Sequence, residues 1–155
     1  MKIIPHLWFD DNAVEAAEFY CSVFKESQIL RIQNYPPDAP GPEGTVMSVE
    51  WELDGQRFMA VNGGPMFTFN ESVSMLVECA TQEEIDYYWE RLTEGGQESQ
   101  CGWLKDKYGL SWQVSPAGLD DILNDPDPER VARATKAIFS SVKFDIASIK
   151  AAVEG

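Results

Sequence analysis

The chain has 155 residues, 44% apolar and 25% charged, with 12 Lys and Arg against 26 Asp and Glu for a net charge of −14. That length suits a single domain that buries its own core without needing a disulfide or a metal. The charge repels phosphate backbones and anionic membrane surfaces, which disfavours nucleic acid as a partner, and no apolar run approaches the ~20 residues of a membrane span.

The opening "MKIIPHLWFDDNA" lacks the pattern of a secretory signal, so the expected location is cytoplasmic. Within it "IIPHLWF" reads as a short strand. "VEAAEFYCSVF" follows with Ala16, Phe19, Tyr20 and Val23 at helical spacing, and Asn12 with Glu15 reads as a capping box at its start. "QILRIQNY" then alternates Leu30 and Ile32 against Arg31 and Gln33. The segment Pro36–Gly44, rich in Pro and Gly, reads as an irregular exposed loop, either a flap over a cleft or a plain surface excursion. "TVMSVEWEL" puts Met47, Val49, Trp51 and Leu53 on one face and Ser48, Glu50 and Glu52 on the other. Asp54-Gly55 makes a hairpin turn into "QRFMAVN", and Asn62-Gly63-Gly64-Pro65 reads as a turn at a module boundary.

The pattern then repeats. "VSMLVECA" is a strand, and "EEIDYYWERL" is a helix whose Ile85, Tyr88, Trp89 and Leu92 each lie 69 residues after their counterparts in the first helix. Thr81 with Glu84 is a second capping box at the same offset. Gly95-Gly96 stops this helix, and "SQCGWLKDK" turns at Tyr108-Gly109 into "LSWQVSP". Gly55 and Gly109 are 54 residues apart, so the second unit is 15 residues shorter, most of it accounted for by the Pro36–Gly44 loop. Beyond it, "PERVARATKAIFSSV" carries an apolar stripe of Val131, Ala134, Ile138 and Val142 behind Pro128, and "FDIASIKAAVE" starts from Asp145 as N-cap. The stripe packs on its own domain or serves a dimer contact.

The expected fold is therefore α+β. Two βαβββ modules, residues 1–62 and 72–116 joined by a linker at 63–71, form a curved mixed sheet with a polar concave cleft, and residues 117–155 add a helical extension. Of the three cysteines, Cys21, Cys79 and Cys101, none forms a C-x-x-C pair, and all read as small buried thiols. Cys101, beside Gly102 and Trp103, is the one candidate nucleophile.

Alternation assigns Leu30, Ile32, Met47, Val49, Trp51, Leu53, Leu110, Trp112 and Val114 to the face under the helices. The opposite face receives Arg31, Gln33, Ser48, Glu50, Glu52, Arg57, Ser111 and Gln113, with His6 and Trp8 sharing one face of the first strand. These arginines and carboxylates either pair with one another or hold a ligand.

The double βαβββ organisation resembles the vicinal oxygen chelate superfamily of glyoxalases, extradiol dioxygenases and bleomycin-resistance proteins. More narrowly, Asn62-Gly63-Gly64-Pro65, Phe67-Thr68-Phe69, Gln82-Glu83-Glu84 and the run Cys101 to Pro116 are similar to the PhnB-like, or demethylubiquinone methyltransferase-like, group. The resemblance covers nearly the whole chain. In the metal-using members it implies ligands at four equivalent strand positions, typically His and Glu. Carried over by the repeat offsets, those positions are His6, Met59, Met75 and Gln113. An amide is a weak neutral donor and a thioether suits soft Cu(I), so no metal and no other cofactor is expected unless Glu50 or Glu52 substitutes. The methyltransferase label gains no support from a glycine-rich nucleotide cradle, because "WFDDNA" and "ECATQE" contain no glycine.

Three functions follow. The chain is a small-molecule-binding protein whose ligand sits among Trp8, Arg31, Gln33, Tyr35, Arg57, Trp103 and Gln113. It is a metal-independent enzyme with His6 or Glu50 as general base and an arginine for an anion. Or it is a metal-dependent lyase or isomerase of glyoxalase type. The resemblance also implies a homodimer.

Overall fold

The alternating runs fold as strands and the runs with helical spacing fold as helices. A computed structural model describes residues 1–155, which divide into two units, Met1–Phe69 and Asn70–Gly155. In the first unit β1 (His6–Phe9), α1 (Ala13–Val23), β2 (Ser27–Asn34), β3 (Val46–Leu53) and β4 (Gln56–Asn62) build a sheet of order β1-β4-β3-β2. The β1–β4 pairing is parallel and the other two are antiparallel. Asp54 and Gly55 take φ of 45° and 78°, both in the left-handed region that a two-residue hairpin turn needs.

The core of this unit lies between α1 and the sheet. Ala13, Ala16, Ala17, Tyr20 and Val23 are buried on the helix, facing Val49, Trp51, Leu53, Phe58 and Ala60 on the strands. Trp51 stacks between Tyr20 and Phe58, with ring centroids 6.2 and 5.5 Å away. The helix start differs from the expected capping box. Asn12 makes no side-chain cap hydrogen bond, and the Ala13 N–H is instead taken by Asn62 Oδ1 at 2.9 Å, an acceptor supplied by the end of β4.

Leu30 and Ile32 also depart from expectation, being 42% and 46% exposed. A bulge between Ile29 and Arg31 leaves Leu30 as the extra residue, so Ile29 opposes Trp51 while Arg31 opposes Glu50. Ile32 keeps the core-side register opposite Val49, but it lies on β2 at the sheet edge and stays exposed there.

The second unit repeats the order with β5 (Ser74–Cys79), α2 (Gln82–Thr93), β6 (Gln97–Glu98), β7 (Trp103–Lys105) and β8 (Ser111–Pro116), giving a sheet β5-β8-β7-β6. Here the capping box forms: Thr81 Oγ1 accepts from the Glu84 N–H at 3.3 Å, and Glu84 Oε2 accepts from the Ala80 N–H at 2.7 Å. The shortening of this unit falls on its strands as well as on the loop, since β6 and β7 have 2 and 3 residues where β2 and β3 have 8 each. Asp106, 3% exposed, organises the β7–β8 turn: it accepts from the N–H groups of Tyr108 and Leu110 and from Trp112 Nε1, at 2.8, 3.1 and 2.8 Å.

The extension forms α3 (Leu119–Leu123), α4 (Pro128–Phe139) and α5 (Ile146–Glu154) and belongs to the second unit. On α4, Ala134 and Ile138 are buried, whereas Val142 lies past the helix end and is 37% exposed. Asp127 and Asp145 cap α4 and α5. The backbone N–H groups of Cys101 and Gly102 donate to the carbonyls of Ser141 and Val142 at 2.8 Å, which fastens the extension to the β6–β7 turn. Gly102, at φ 76°, must be glycine there, because a Cβ would lie 2.6 Å from the Phe144 ring. Of the cysteines only Cys79 is buried; Cys21 and Cys101 are half-exposed at element ends.

Candidate functional site

Strand register lays one line of side chains across the whole first sheet. His6 on β1 opposes Met59 on β4, Met59 opposes Glu50 on β3, and Glu50 opposes Arg31 on β2. All four lie on the face away from α1, since their neighbours Leu7, Phe58, Val49 and Trp51 fill the core. The next line is Trp8, Val61, Ser48 and Gln33. Gln33 Oε1 accepts from Ser48 Oγ at 3.3 Å. Eight of the ten residues assigned by alternation to the polar face (His6, Trp8, Arg31, Gln33, Ser48, Glu50, Glu52 and Arg57) thus share one face of the first sheet. The bulge at Leu30 is what keeps Arg31 and Gln33 on it.

Their partners differ sharply. Arg57 Nη2 is paired with Glu50 Oε1, whose side chain is only 13% exposed, while Arg57 Nε is buried without a partner. A general base at Glu50 would first have to shed that guanidinium. Arg31 is exposed and in no ion pair, and His6 is exposed at the sheet edge.

Trp8 and Tyr35 use their polar atoms on the scaffold. Trp8 Nε1 donates to the Gly64 carbonyl at 2.8 Å, and its ring meets Phe67 edge-on with centroids 5.0 Å apart. A Cβ at Gly63 would fall 2.2 Å from the Trp8 ring, which accounts for glycine in that turn. The Tyr35 hydroxyl donates to the Asn62 carbonyl at 2.7 Å, and its ring covers Gly41. The Pro36–Gly44 loop is therefore tied down at Tyr35, whose N–H also bonds Thr45 O at 2.8 Å. Trp8 can offer a ligand only its apolar ring, while Tyr35 offers its ring and the acceptor lone pairs of its hydroxyl.

In the second unit Gln113 sits between Leu76 on β5 and Trp103 on β7, on the face turned away from Trp112 and Val114. Its Nε2 donates to Ser74 Oγ at 2.8 Å. This register corrects one position. Met59 pairs with His6 and its counterpart Gln113 pairs with Leu76, so the equivalent of His6 is Leu76 and not Met75, which faces the helix side. The offset is 69 for the helices but one residue more for the strands, and a one-residue slip flips a side chain to the other face.

The equivalent positions are thus His6 and Met59 in the first unit and Leu76 and Gln113 in the second. Neither the imidazole and thioether of the one nor the amide of the other fits a catalytic divalent ion, which takes three or four N, O or thiolate ligands. No group of three or more His, Cys, Asp and Glu side chains is arranged to hold a metal ion.

One residue outside the expected set also matters. Lys105 shares the Gln113 face with Ser111, and Lys105 Nζ reaches Glu71 Oε1 at 2.5 Å. The ammonium holds the Glu71 carboxyl below the usual carboxylate range through that hydrogen bond. Ser111 Oγ is buried with no partner. The two-residue alternation from Trp103 to Lys105 was the signal that could have placed Lys105 beside Trp103.

Comparison with known proteins gives the family and the fold of the chain. The family model for 3-demethylubiquinone-9 3-methyltransferase matches residues 1–115. A putative 3-demethylubiquinone-9 3-methyltransferase, a PhnB protein from Bacillus cereus, is 39% identical with a TM-score of 0.69; the match covers 76% of this chain and 100% of that one. Protein PA1353 from Pseudomonas aeruginosa is 20% identical with a TM-score of 0.62, over 75% of this chain and 97% of that one. The fosfomycin resistance protein FosX from Listeria monocytogenes, solved with Mn(II) and sulfate, is 12% identical with a TM-score of 0.56, over 80% and 95% of the two chains. These last two likenesses speak to fold alone. No curated protein matches the chain. The helices α3 to α5 begin beyond the residues that the family model matches.

Proposed function

The chain belongs to the 3-demethylubiquinone-9 3-methyltransferase family, PhnB-like proteins with the glyoxalase-like fold, and on that premise we propose that it binds a small organic molecule on the polar sheet face without a divalent metal. The observation that carries this reading is the in-register line His6, Met59, Glu50 and Arg31, with unpaired Arg31 at one end and the Trp8 ring in the next line. A few polar anchors beside aromatic walls are what a small-molecule pocket requires. Gln33 and Arg57 add hydrogen-bonding groups on the same face, Tyr35 adds a wall, and Trp103 and Gln113 supply the corresponding surface of the second sheet.

The second reading is a metal-independent enzyme with His6 as acid or base. It is favoured by the exposure of His6 on that line, whereas Glu50 is occupied by Arg57. Methyl transfer, which the family name suggests, gains nothing from the two strand-to-helix junctions, Asp10–Asn12 and Ala80–Thr81, because neither carries the glycines of a nucleotide cradle. No helix is long and apolar enough to cross a membrane. A cytoplasmic homodimer completes the proposal, supported by exposed Leu30 and Ile32 on the edge strand β2.

The test is a thermal-shift screen of small organic compounds on chelator-treated protein, repeated with Arg31→Ala and His6→Ala. A binding protein keeps its hits in His6→Ala and loses affinity in Arg31→Ala. Hits that appear only with added divalent ions contradict the proposal.

A further inference from the structure

The second unit holds a cavity of about 200 Å³ whose wall includes Glu71, Gln97, Glu98, Trp103, Lys105 and Ser111. Two features set it apart from a surface dent. Ser111 is 1% exposed, and its Oγ has no hydrogen-bond partner. A buried hydroxyl in that condition carries an uncompensated desolvation cost, and a hydrogen bond to a ligand would offset it. Strand pairing also sets Ser111 directly opposite Lys105, with Trp103 two residues along the same face.

The charges decide what kind of ligand fits. Lys105 is already matched by Glu71 at 2.5 Å. Glu98 adds a second carboxylate, one of whose oxygens accepts from Trp89 Nε1 at 2.9 Å. The wall therefore presents no uncompensated cation, and an anionic ligand would meet net negative charge. Gln97 and the remaining carboxylate oxygens accept hydrogen bonds, Ser111 can donate one, and the Trp103 indole offers a flat face. An apolar cavity of about 150 Å³ is enough to hold benzene, so the space here suits one substituted ring.

We propose that this cavity is a subsite for an uncharged, hydroxyl-bearing aromatic of single-ring size, with Ser111 Oγ as its hydrogen-bond partner and Trp103 as its wall. The inference rests on the reading that the polar sheet faces bind small organic molecules, and it adds the ligand class for the second sheet.

The test is an amide and indole NMR titration of the full chain with phenol, benzoate and benzylamine. Phenol is expected to shift Gln97, Glu98, the Trp103 indole and the Lys105–Ser111 amides, ahead of benzoate and benzylamine. Ser111→Ala should retain the native spectrum and weaken phenol binding about five-fold, the loss of one hydrogen bond. Equal affinity in Ser111→Ala, or tighter binding of benzoate, overturns the assignment. Phenol shifts confined to β1–β4 overturn this subsite and leave the broader reading standing. No shift in either sheet, together with an empty thermal-shift screen, overturns both.

Discussion

Arg57 on β4 and Glu50 on β3 form a diagonal ion pair on the face of the first sheet opposite α1, and the Nε of the same guanidinium has no partner. The pair fixes two of the polar groups of that face in place before any ligand arrives. Removing one member leaves the other charge partly buried. Glu50→Gln should lower stability by about 1 kcal/mol, a modest figure because Arg57 is still partly solvated. A double-mutant cycle with Arg57→Gln, followed by urea unfolding, should return a coupling of roughly 0.5–1 kcal/mol. Zero coupling would mean that the pair does not persist in solution.

Asn62 ties three elements together. Its Oδ1 caps α1 at Ala13, its Nδ2 donates to the Val46 carbonyl at 3.2 Å, and its own carbonyl receives Tyr35. Asn62→Ala should cost about 2 kcal/mol, the upper range for losing a cap, and Asn62→Asp about half of that because the acceptor remains. Urea midpoints of the two variants give the order directly.

Asp106→Ala leaves three N–H donors in a nearly buried turn without their acceptor. A loss of about 3 kcal/mol is expected, with altered Trp112 fluorescence. Asp106→Asn keeps the oxygen that serves Tyr108 and Leu110 and should lose less.

Stability should fall at both ends of the pH scale. The carboxyls of Asp86, Asp125 and Asp145 are held below their usual range, chiefly by hydrogen bonds from Lys143, from the Asp127 backbone and from Ser148 respectively. A depressed folded-state value contributes stability above the unfolded carboxylate range, and that contribution disappears as the pH drops through the folded value. Asp86→Asn should therefore flatten the acid limb. Burial pushes the Cys79 thiol up to about 11, so its contribution is complete below the ordinary thiol range and lost as the pH rises towards that value. Cys79 should resist alkylation at neutral pH in the native protein and react on unfolding.

The doubled βαβββ order, the hairpins at Asp54-Gly55 and Tyr108-Gly109, the caps at Thr81 and Asp145, and the helix start at Pro128 were all legible from local pattern. These features depend on residues within a few positions of one another. What escaped were effects of strand register and distance in sequence. The bulge at Leu30 leaves no mark in an alternating run, and the edge position of β2 explains why Leu30 and Ile32 stay exposed. The cap that Asn62 lends to Ala13 crosses 49 positions. The extra residue between β1 and α1, relative to the second unit, moved the counterpart of His6 from Met75 to Leu76. The polar face survived because Glu50 and Gln113 follow period-two alternation within their strands, while Arg31 and Gln33 alternate with Ile32 beyond the bulge that sets them on it.

The central claim is that this face works without a divalent ion, and elemental analysis tests it most directly. The protein would be purified without a histidine tag and dialysed against buffers with and without Zn²⁺, Mn²⁺, Ni²⁺ and Fe²⁺. The donor set His6, Met59, Leu76 and Gln113 predicts that none is retained in stoichiometric amount. Retention near one ion per chain, lost in His6→Ala, would contradict the account.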